Sequence, residues 1–415
     1  MRILITNIRM AMRSGTEVVV RDLALRLAAR GHQPVVYTPD IGALAGELIS
    51  HGVPVLDDLA RLEQEPDIIH GHHTIPTAEA IMAFPGRPAI WLCHDATAWF
   101  DAAPRFAQIR RYFAVDETCR ERLVAGDGLA RESIGILPNA IDLRRIPPRT
   151  QPLPPAPRLA VSLVKHPAPI PLIREACLRL GLPLEAYGHG VGQEISDVEN
   201  ACAKADLVFA TARTAIEAMA TGAAVILVDG RGFGGIVTSA NYDLFRRLNF
   251  GLGALRAQAS VEALVQSIGS YDPIDAARLG ARIRAEADLD KAVDRLEQIY
   301  ADVIRQHDAE ASLDARRMRQ EVLAFNRRWL PNLQAPWHSW MSERAILIEE
   351  RDALQHSLAT LTGDHATAER ARDQALRERD QALLEREEAL RASADLQRSR
   401  ALRAARFVRR FLPRR

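Results

Sequence analysis

His94 and Asp95 stand directly after the apolar run Ala89 to Cys93. Imidazole both donates and accepts a proton, so a strand-end histidine is a candidate for chemistry. A second group of chemically capable residues falls in 205–238, ADLVFATARTAIEAMATGAAVILVDGRGFGGIVT. It holds Arg213, Thr214, Glu217 and Arg231 with Gly232, Gly234 and Gly235. Guanidinium forks grip phosphate through two parallel hydrogen bonds, and helix N-termini supply free N–H groups and a positive dipole end. Glycines let a backbone come close to a ligand, and a carboxylate accepts hydrogen bonds from sugar hydroxyls. Together these are groups that a sugar diphosphate would need.

The plainer readings compete with these. Thr214 and Glu217 also form a T-x-x-E capping box, in which Glu217 would only satisfy its own helix start. Ser14 and Glu17 form a second such box. A strand-end histidine such as His94 is also an ordinary hydrogen-bonded residue. The cluster His70-Gly71-His72-His73 reads as a turn without carboxylate or cysteine company, so no metal site is expected, and His72 or His73 suits a cleft wall or an acceptor contact.

These residues need elements to position them. In 205–238 an apolar run (Leu207 to Ala210), a helical pattern (Ala215 to Ala220), a second apolar run (Ala224 to Val228) and a glycine-rich loop (Gly230 to Gly235) follow one another. That is the grammar of a parallel α/β sheet, whose ligands lie beyond the carboxyl ends of the strands. Upstream, short apolar runs at Ile3 to Thr6, Gln33 to Tyr37, Val53 to Leu56, Asp67 to His70, Ala89 to Cys93, Tyr112 to Val115 and Ser133 to Leu137 alternate with helical patterns. This predicts one parallel sheet with right-handed crossovers. The proline-rich stretch 146–158 reads as a linker, and a second α/β unit follows over 159–310. Two such units define a cleft between them.

Beyond residue 310 the chain changes. A helical connector is expected over 311–342, broken by Pro331 and Pro336. Over 343–397 proline is absent, and positions 347, 354, 361, 368, 375, 382, 389 and 396 are all Leu or Ala. The seam is narrow and flanked by dense Glu/Arg pairs, so the segment reads as a weak self-associating coiled coil or a charge-stabilised single helix. Residues 398–415 hold eight arginines and no acid, which predicts a cationic amphipathic helix suited to an anionic membrane surface.

The whole-chain totals bound the function class. A net charge of +1 over 415 residues gives no bulk attraction to nucleic acid. The four cysteines are widely spaced, which points to neither a zinc site nor a disulfide framework, and a reducing cytoplasm fits. The opening MRILITNIRM lacks the apolar core of a signal peptide, and no run is long enough to span a membrane.

Taken in order, the motifs resemble those of the group-1 glycosyltransferases of GT-B fold. Ser14-Gly15-Thr16-Glu17 is similar to the G-G-x-E loop of that family, and Pro66-Asp67-Ile68-Ile69-His70 to its P-D-(I/V)-(I/V)-H strand. His94-Asp95 matches its H-(D/G) strand end, LPNAIDL its P-N-G-(I/V)-D signature, and IEAMATGAAVILVD its donor-site helix and strand. The resemblance covers roughly the first 240 residues. It implies two Rossmann-like domains facing a cleft: an acceptor-side domain over 1–145 and a nucleotide-sugar domain over 159–310. It also implies retaining transfer from a nucleotide sugar.

Residue by residue, the resemblance makes His94 a contact to the donor sugar near the reacting centre, with Asp95 beside it as the catalytic pair. Glu217 becomes the ribose ligand, Gly15 a backbone approach to the donor, and Lys165 a diphosphate ligand. Arg213, Thr214, Gly234 and Gly235 complete the expected donor site. Three departures stand out. Phe209 occupies the place of a second glutamate, only Lys165-His166 remains of a phosphate loop, and Ala140 and Ala224 replace Gly and Pro. No D-x-D pair marks the site stretches, so cations rather than a metal are expected to neutralise the diphosphate.

The expected function is a glycosyltransferase acting on a cell-surface glycan or lipid-linked acceptor, cytoplasmic and peripheral on the inner face of the membrane. The alternatives are an inactive GT-B-like scaffold that recruits partners through its C-terminal helix, and a sugar-nucleotide epimerase of the same fold.

Overall fold

The computed structural model describes residues 1–11, 15–188, 198–309, 314–331, 374–376, 378–381 and 383. They fall in two compact units, Met1–Ser312 and Leu313–Arg415.

The first unit opens with a doubly wound domain. Its elements are β1 (Arg2–Thr6), α1 (Gly15–Ala29), β2 (Gln33–Tyr37), α2 (Ala43–Ser50), β3 (Val55–Leu56), β4 (Ile68–His72), α3 (Thr74–Ala83), β5 (Ala89–Cys93), β6 (Ile109–Ala114), α4 (Glu117–Asp127) and β7 (Ile134–Ile136). All seven strands are parallel, in the order β3-β2-β1-β4-β5-β6-β7. Helices cover both faces, so the strands are apolar on both sides, as in RILIT and AIWLC. Gly71 is required in β4. A Cβ there would lie 2.5 Å from Thr77 Cγ2, so only glycine lets α3 dock on the strand.

A second sheet follows the proline-rich segment. Its elements are β8 (Ala160–Ser162), α5 (Ile170–Arg179), β9 (Leu184–Ala186), α6 (Val198–Lys204), β10 (Leu207–Ala210), α7 (Ala212–Ala220), β11 (Ala224–Asp229) and β12 (Gly232–Ile236). Helices α8 (Tyr242–Arg247), α9 (Val261–Gly269), α10 (Pro273–Glu286) and α11 (Leu289–Ala309) complete the unit. The sheet order is β12-β11-β10-β8-β9, with β12 antiparallel to β11. Period-2 alternation sorts its strands between two cores. Val208, Ala210, Val225 and Leu227 join α7 and α10 on one face. Leu207, Phe209, Ile226 and Val228 join α5 and α9 on the other.

The expected two-sheet α/β class is present, with three local differences. The glycine-rich segment read as a loop is largely strand β12. Its glycines serve packing: a Cβ at Gly234 would stand 2.9 Å from the Ala254 carbonyl oxygen, and Phe233 bridges Ala257 in antiparallel fashion. The His70-Gly71-His72 part of the histidine cluster is buried strand rather than turn. Helix α11, assigned by sequence to the second domain, returns to the first. Arg30 of α1 bonds Asp290, Asp294 and Glu297, His70 of β4 bonds Tyr300 at 2.5 Å, and Arg110 of β6 bonds His307 at 3.2 Å.

All four cysteines are free and buried. In the second unit, 315–331 is helical, with an Arg317–Glu321 pair at 2.9 Å. Ser14, residues 332–342 with Pro336, most of 343–397 and all of 398–415 lie outside the described residues, and so do the readings placed on them. Among the described residues no helix is long and apolar enough to cross a membrane.

Candidate active site

In doubly wound sheets the crevice opens where strand order reverses. The first sheet reverses between β1 and β4, and the second between β8 and β10. The carboxyl ends of these strands border one cleft of about 480 Å³ in the first unit. Asn7, His73, His94 and Asp95 come from the first sheet, and Lys165, Ala212, Arg213 and Glu217 from the second. Gly15 and Glu17 bring the start of α1 to the same space.

Of the residues expected from sequence, His94, Asp95, Gly15, Lys165, Arg213, Thr214 and Glu217 all line this cleft. Gly234 and Gly235 are not among its lining residues, because β12 places them at the sheet edge. Phe209 faces the core beside α5 and α9 and is fully buried, so position 209 offers nothing to the cleft.

Lys165 follows β8. A Cβ built on Gly15 would stand 3.8 Å from its ammonium, which places the charge at the first turn of α1. Among the described residues, no ion pair or hydrogen bond engages that ammonium. Its side chain reaches solvent through the open cleft, but the walls around it, then Arg231, hold its pKa below the usual lysine value. Arg231 is anchored on Asp229 at 3.1 Å and comes within 3.9 Å of Asp95 across the cleft. Lysine, arginine and a helix start thus converge on one spot, a constellation that attracts an anion.

Arg213 has a different task from the one expected. Its Nε donates to Glu217 Oε1 at 2.8 Å, one Nη to the Ala140 carbonyl at 3.0 Å, and the other to Asp22 of α1. The guanidinium is buried and committed, so it is not an open fork for phosphate. The Thr214–Glu217 capping box is absent as well. Helix α7 starts at Ala212 behind Thr211, whose side chain makes no cap bond, and position 214 is already inside the helix. Glu217 instead faces Arg213. Burial raises its pKa, and Arg213 opposes the rise. Glu17 pairs with Arg9 at 3.3 Å.

The histidines form a connected group. His94 Nε2 meets His72 Nδ1 at 2.6 Å, and His72 stacks on His70 with ring centroids 4.5 Å apart. The Ile8 N–H donates to His73 Nδ1 at 3.1 Å, which fixes that nitrogen as an acceptor. His73 holds φ 63°, a strained value for a non-glycine residue and one found mostly where function demands it. Burial depresses the pKa of His70, His73 and His94 to about 3, so all three rings are neutral in ordinary solution. Among the described residues no group of three or more His, Cys, Asp or Glu side chains is arranged to hold a metal ion.

For Asp95, burial pushes the pKa up. The hydrogen bonds from Thr97 and Ala98 and the nearby Arg231 outweigh it, so the carboxyl stays ionised.

Sequence reading missed several residues. Asp101 lines the cleft, accepts from the backbone N–H of His94 at 3.3 Å, and is pushed by burial to a pKa of about 7. Asp22 and Glu199 are bound by Arg145 at 3.6 and 2.8 Å. None of these carries a local motif; only their long-range partners distinguish them from solvated surface charges.

Two outcomes follow. Arg213→Ala strips the counter-charge from Asp22 and Glu217 together and is expected to lower stability by about 3–5 kcal/mol. A loss below about 1 kcal/mol in urea unfolding would show that the cluster does not hold the cleft. The second concerns pH. Three histidines with folded pKa near 3 and an ordinary value of 6.5 contribute stability that is present above pH 6.5 and lost as pH falls toward 3. Asp101, raised from 3.8 to about 7, acts oppositely: its contribution is complete below 3.8 and lost as pH rises through 7. Asp101→Asn is therefore expected to raise the urea midpoint more at pH 8.5 than at pH 4.5. An equal effect at both pH values contradicts the assignment.

Comparison with known proteins agrees with this architecture. The family model for Glycosyltransferase Family 4 matches residues 13–145. No curated protein sequence matches the chain. Among solved structures, Alr3699/HepE of Anabaena in complex with UDP-glucose is 17% identical, with a TM-score of 0.54 over 72% of this chain and 99% of that one. Its complex with UDP and glucose gives 17%, 0.53, 73% and 100%. A glycosyltransferase from Rickettsia africae ESF-5 is 13% identical with a TM-score of 0.52, over 73% of this chain and 98% of that one. At these identities the likeness establishes the fold. The chain thus has a GT-B fold whose residues 13–145 match the glycosyltransferase family 4 model.

Proposed function

We propose that the protein transfers a sugar from a nucleotide sugar to a hydroxyl of a glycan or lipid-linked acceptor. The observation that carries this reading is the Lys165 ammonium at the first turn of α1, unpaired among the described residues, with Arg231 beside it. No carboxylate reaches ion-pair distance of this ammonium among the described residues, and a diphosphate would supply a direct partner. The similarly folded HepE, whose structures hold UDP and UDP-glucose, supports a nucleotide sugar as the ligand.

In this reading the α1 start, Lys165 and Arg231 hold the diphosphate, in the role a metal would otherwise take. Glu217 accepts from the ribose and His94 faces the sugar. The bond from the anomeric carbon to the diphosphate oxygen breaks, and a bond to the acceptor oxygen forms. The acceptor's proton passes to the departing diphosphate. Cations preorganised where that negative charge develops lower the barrier. Retention of anomeric configuration belongs to the proposal through the motif resemblance. A panel of nucleotide sugars tests the whole reading: absence of turnover together with absence of thermal shift by any nucleotide would favour a scaffold.

Lys165→Met keeps the aliphatic stem and removes the charge. It is expected to weaken nucleoside diphosphate binding by about 10–100-fold in calorimetry, the usual scale for a charge-assisted contact. Unchanged affinity would remove Lys165 from the site. The arginine-rich sequence 398–415 supports docking on an anionic membrane surface. Truncation after Gln397 is then expected to abolish co-sedimentation with anionic vesicles, and undiminished co-sedimentation would refute the docking.

A further inference from the structure

We propose that His72 is a positioning residue that locks His94 in its Nδ1–H tautomer, so that the cleft is met by a hydrogen-bond donor. The inference rests on the sugar-nucleotide reading only for what that donor contacts.

The contact between His72 Nδ1 and His94 Nε2 is 2.6 Å long and holds one proton. Both rings are neutral, so each ring carries one N–H, and two arrangements exist. If His94 gave its Nε2–H to His72, then His72 would carry its own proton on Nε2. That nitrogen is buried and has no hydrogen-bond partner among the described residues. It would be a buried, unsatisfied donor, which forfeits the hydration of an N–H with nothing in return. If His72 gives its Nδ1–H to His94, its Nε2 keeps only a lone pair, which is the less costly orphan. His94 then carries its proton on Nδ1.

The surroundings of His72 support the second arrangement. His72 is wholly buried and sits on β4 with its neighbour ring His70 stacked on it. Both rings border a separate cavity of about 190 Å³, whose walls include Val19, Leu23, Leu92, Leu137, Leu289 and Leu296. Asn139, Glu286, Asp288, Lys291 and Arg295 also line that cavity, but none of them hydrogen-bonds His72 Nε2, so a bare lone pair there remains less costly than an unpaired N–H. His70 is in turn tied by Nδ1 to the Tyr300 hydroxyl at 2.5 Å, which fixes the outer end of the stack. His94 lies at the other end and lines the main cleft. With its Nε2 taken by His72, Nδ1 is the nitrogen left for a ligand. It therefore donates to an oxygen of the sugar or of the breaking bond, and does not serve as the base.

Nitrogen-15 histidine labelling reads the tautomer without any substrate, with the His94 signals assigned by their loss in His94→Gln. In the native protein, His94 is expected to show a protonated Nδ1 and a pyridine-like Nε2. His72→Asn, whose amide can donate from nearly the same place as Nδ1, is expected to preserve that pattern. His72→Leu is expected to mix the tautomers and to reduce kcat with the best nucleotide sugar by about 10-fold or more, while its KM changes little. A protonated Nε2 on His94 in the native protein overturns the proposal, even if His72→Leu fails to fold. So does a His94 tautomer that is the same in His72→Leu as in the native protein. A tautomer that shifts as expected in a protein that turns over no nucleotide sugar would uphold the positioning role and sink the transferase reading instead.

Discussion

Asp22 is a buried carboxylate shared by three guanidinium groups. Arg21 lies beside it on α1 at 2.6 Å, Arg145 reaches it from the interdomain segment at 3.6 Å, and Arg213 comes from α7 of the second domain. None of these charges tolerates burial alone, and a buried ion left unpaired is far costlier than the pair is favourable. The two sheets must therefore stand where Arg213 meets both Asp22 and its own Glu217. That requirement sets the width of the cleft and brings Lys165 to the start of α1. It also explains why Arg213, attractive as a phosphate ligand in sequence, is spent on the frame. The positive charge facing the cleft is left to Lys165 and to Arg231, which Asp229 anchors, and both follow strands of the second sheet.

Much of the frame was legible because parallel strands covered on both faces are continuous apolar runs. Where a strand departs from that composition, the reading slipped. Strand β6 begins at Ile109, three residues before the expected Tyr112. Arg110 and Arg111 look like loop residues until His307 and Gln306 of α11, nearly 200 positions away, are seen to pair with them. Strand β12 reads as a glycine-rich loop because the backbone of Ala254 to Ala257, which demands those glycines, lies outside the local segment.

The site divides along the same line. His94, Lys165 and Glu217 sit at strand ends or on a helix that the local pattern predicts, and motif order made them visible. Asp22, Asp101, Arg145 and Glu199 carry no such signature. The tie between His72 and His94 depends on β4 and β5 being neighbours in register, with His72 opposite Leu92 and His94 two residues further on. No spacing rule within one segment encodes that adjacency.

The return of α11 changes what counts as a domain in this chain. The Ile141 N–H donates to the Ala287 carbonyl at 2.8 Å, and the Leu289 N–H to the Ile141 carbonyl at 3.1 Å. The outgoing and returning strands of the chain thus run side by side, hydrogen-bonded to each other. In topological terms the second domain is an insertion between β7 and α11, and the first domain is discontinuous in sequence. Residues 1–145 in isolation would expose the face that α11 covers, including the His70 ring that Tyr300 engages. A movement of the second domain that parted the two crossings would break both of these backbone bonds, so the link between the domains is a tied pair of segments and not a single tether.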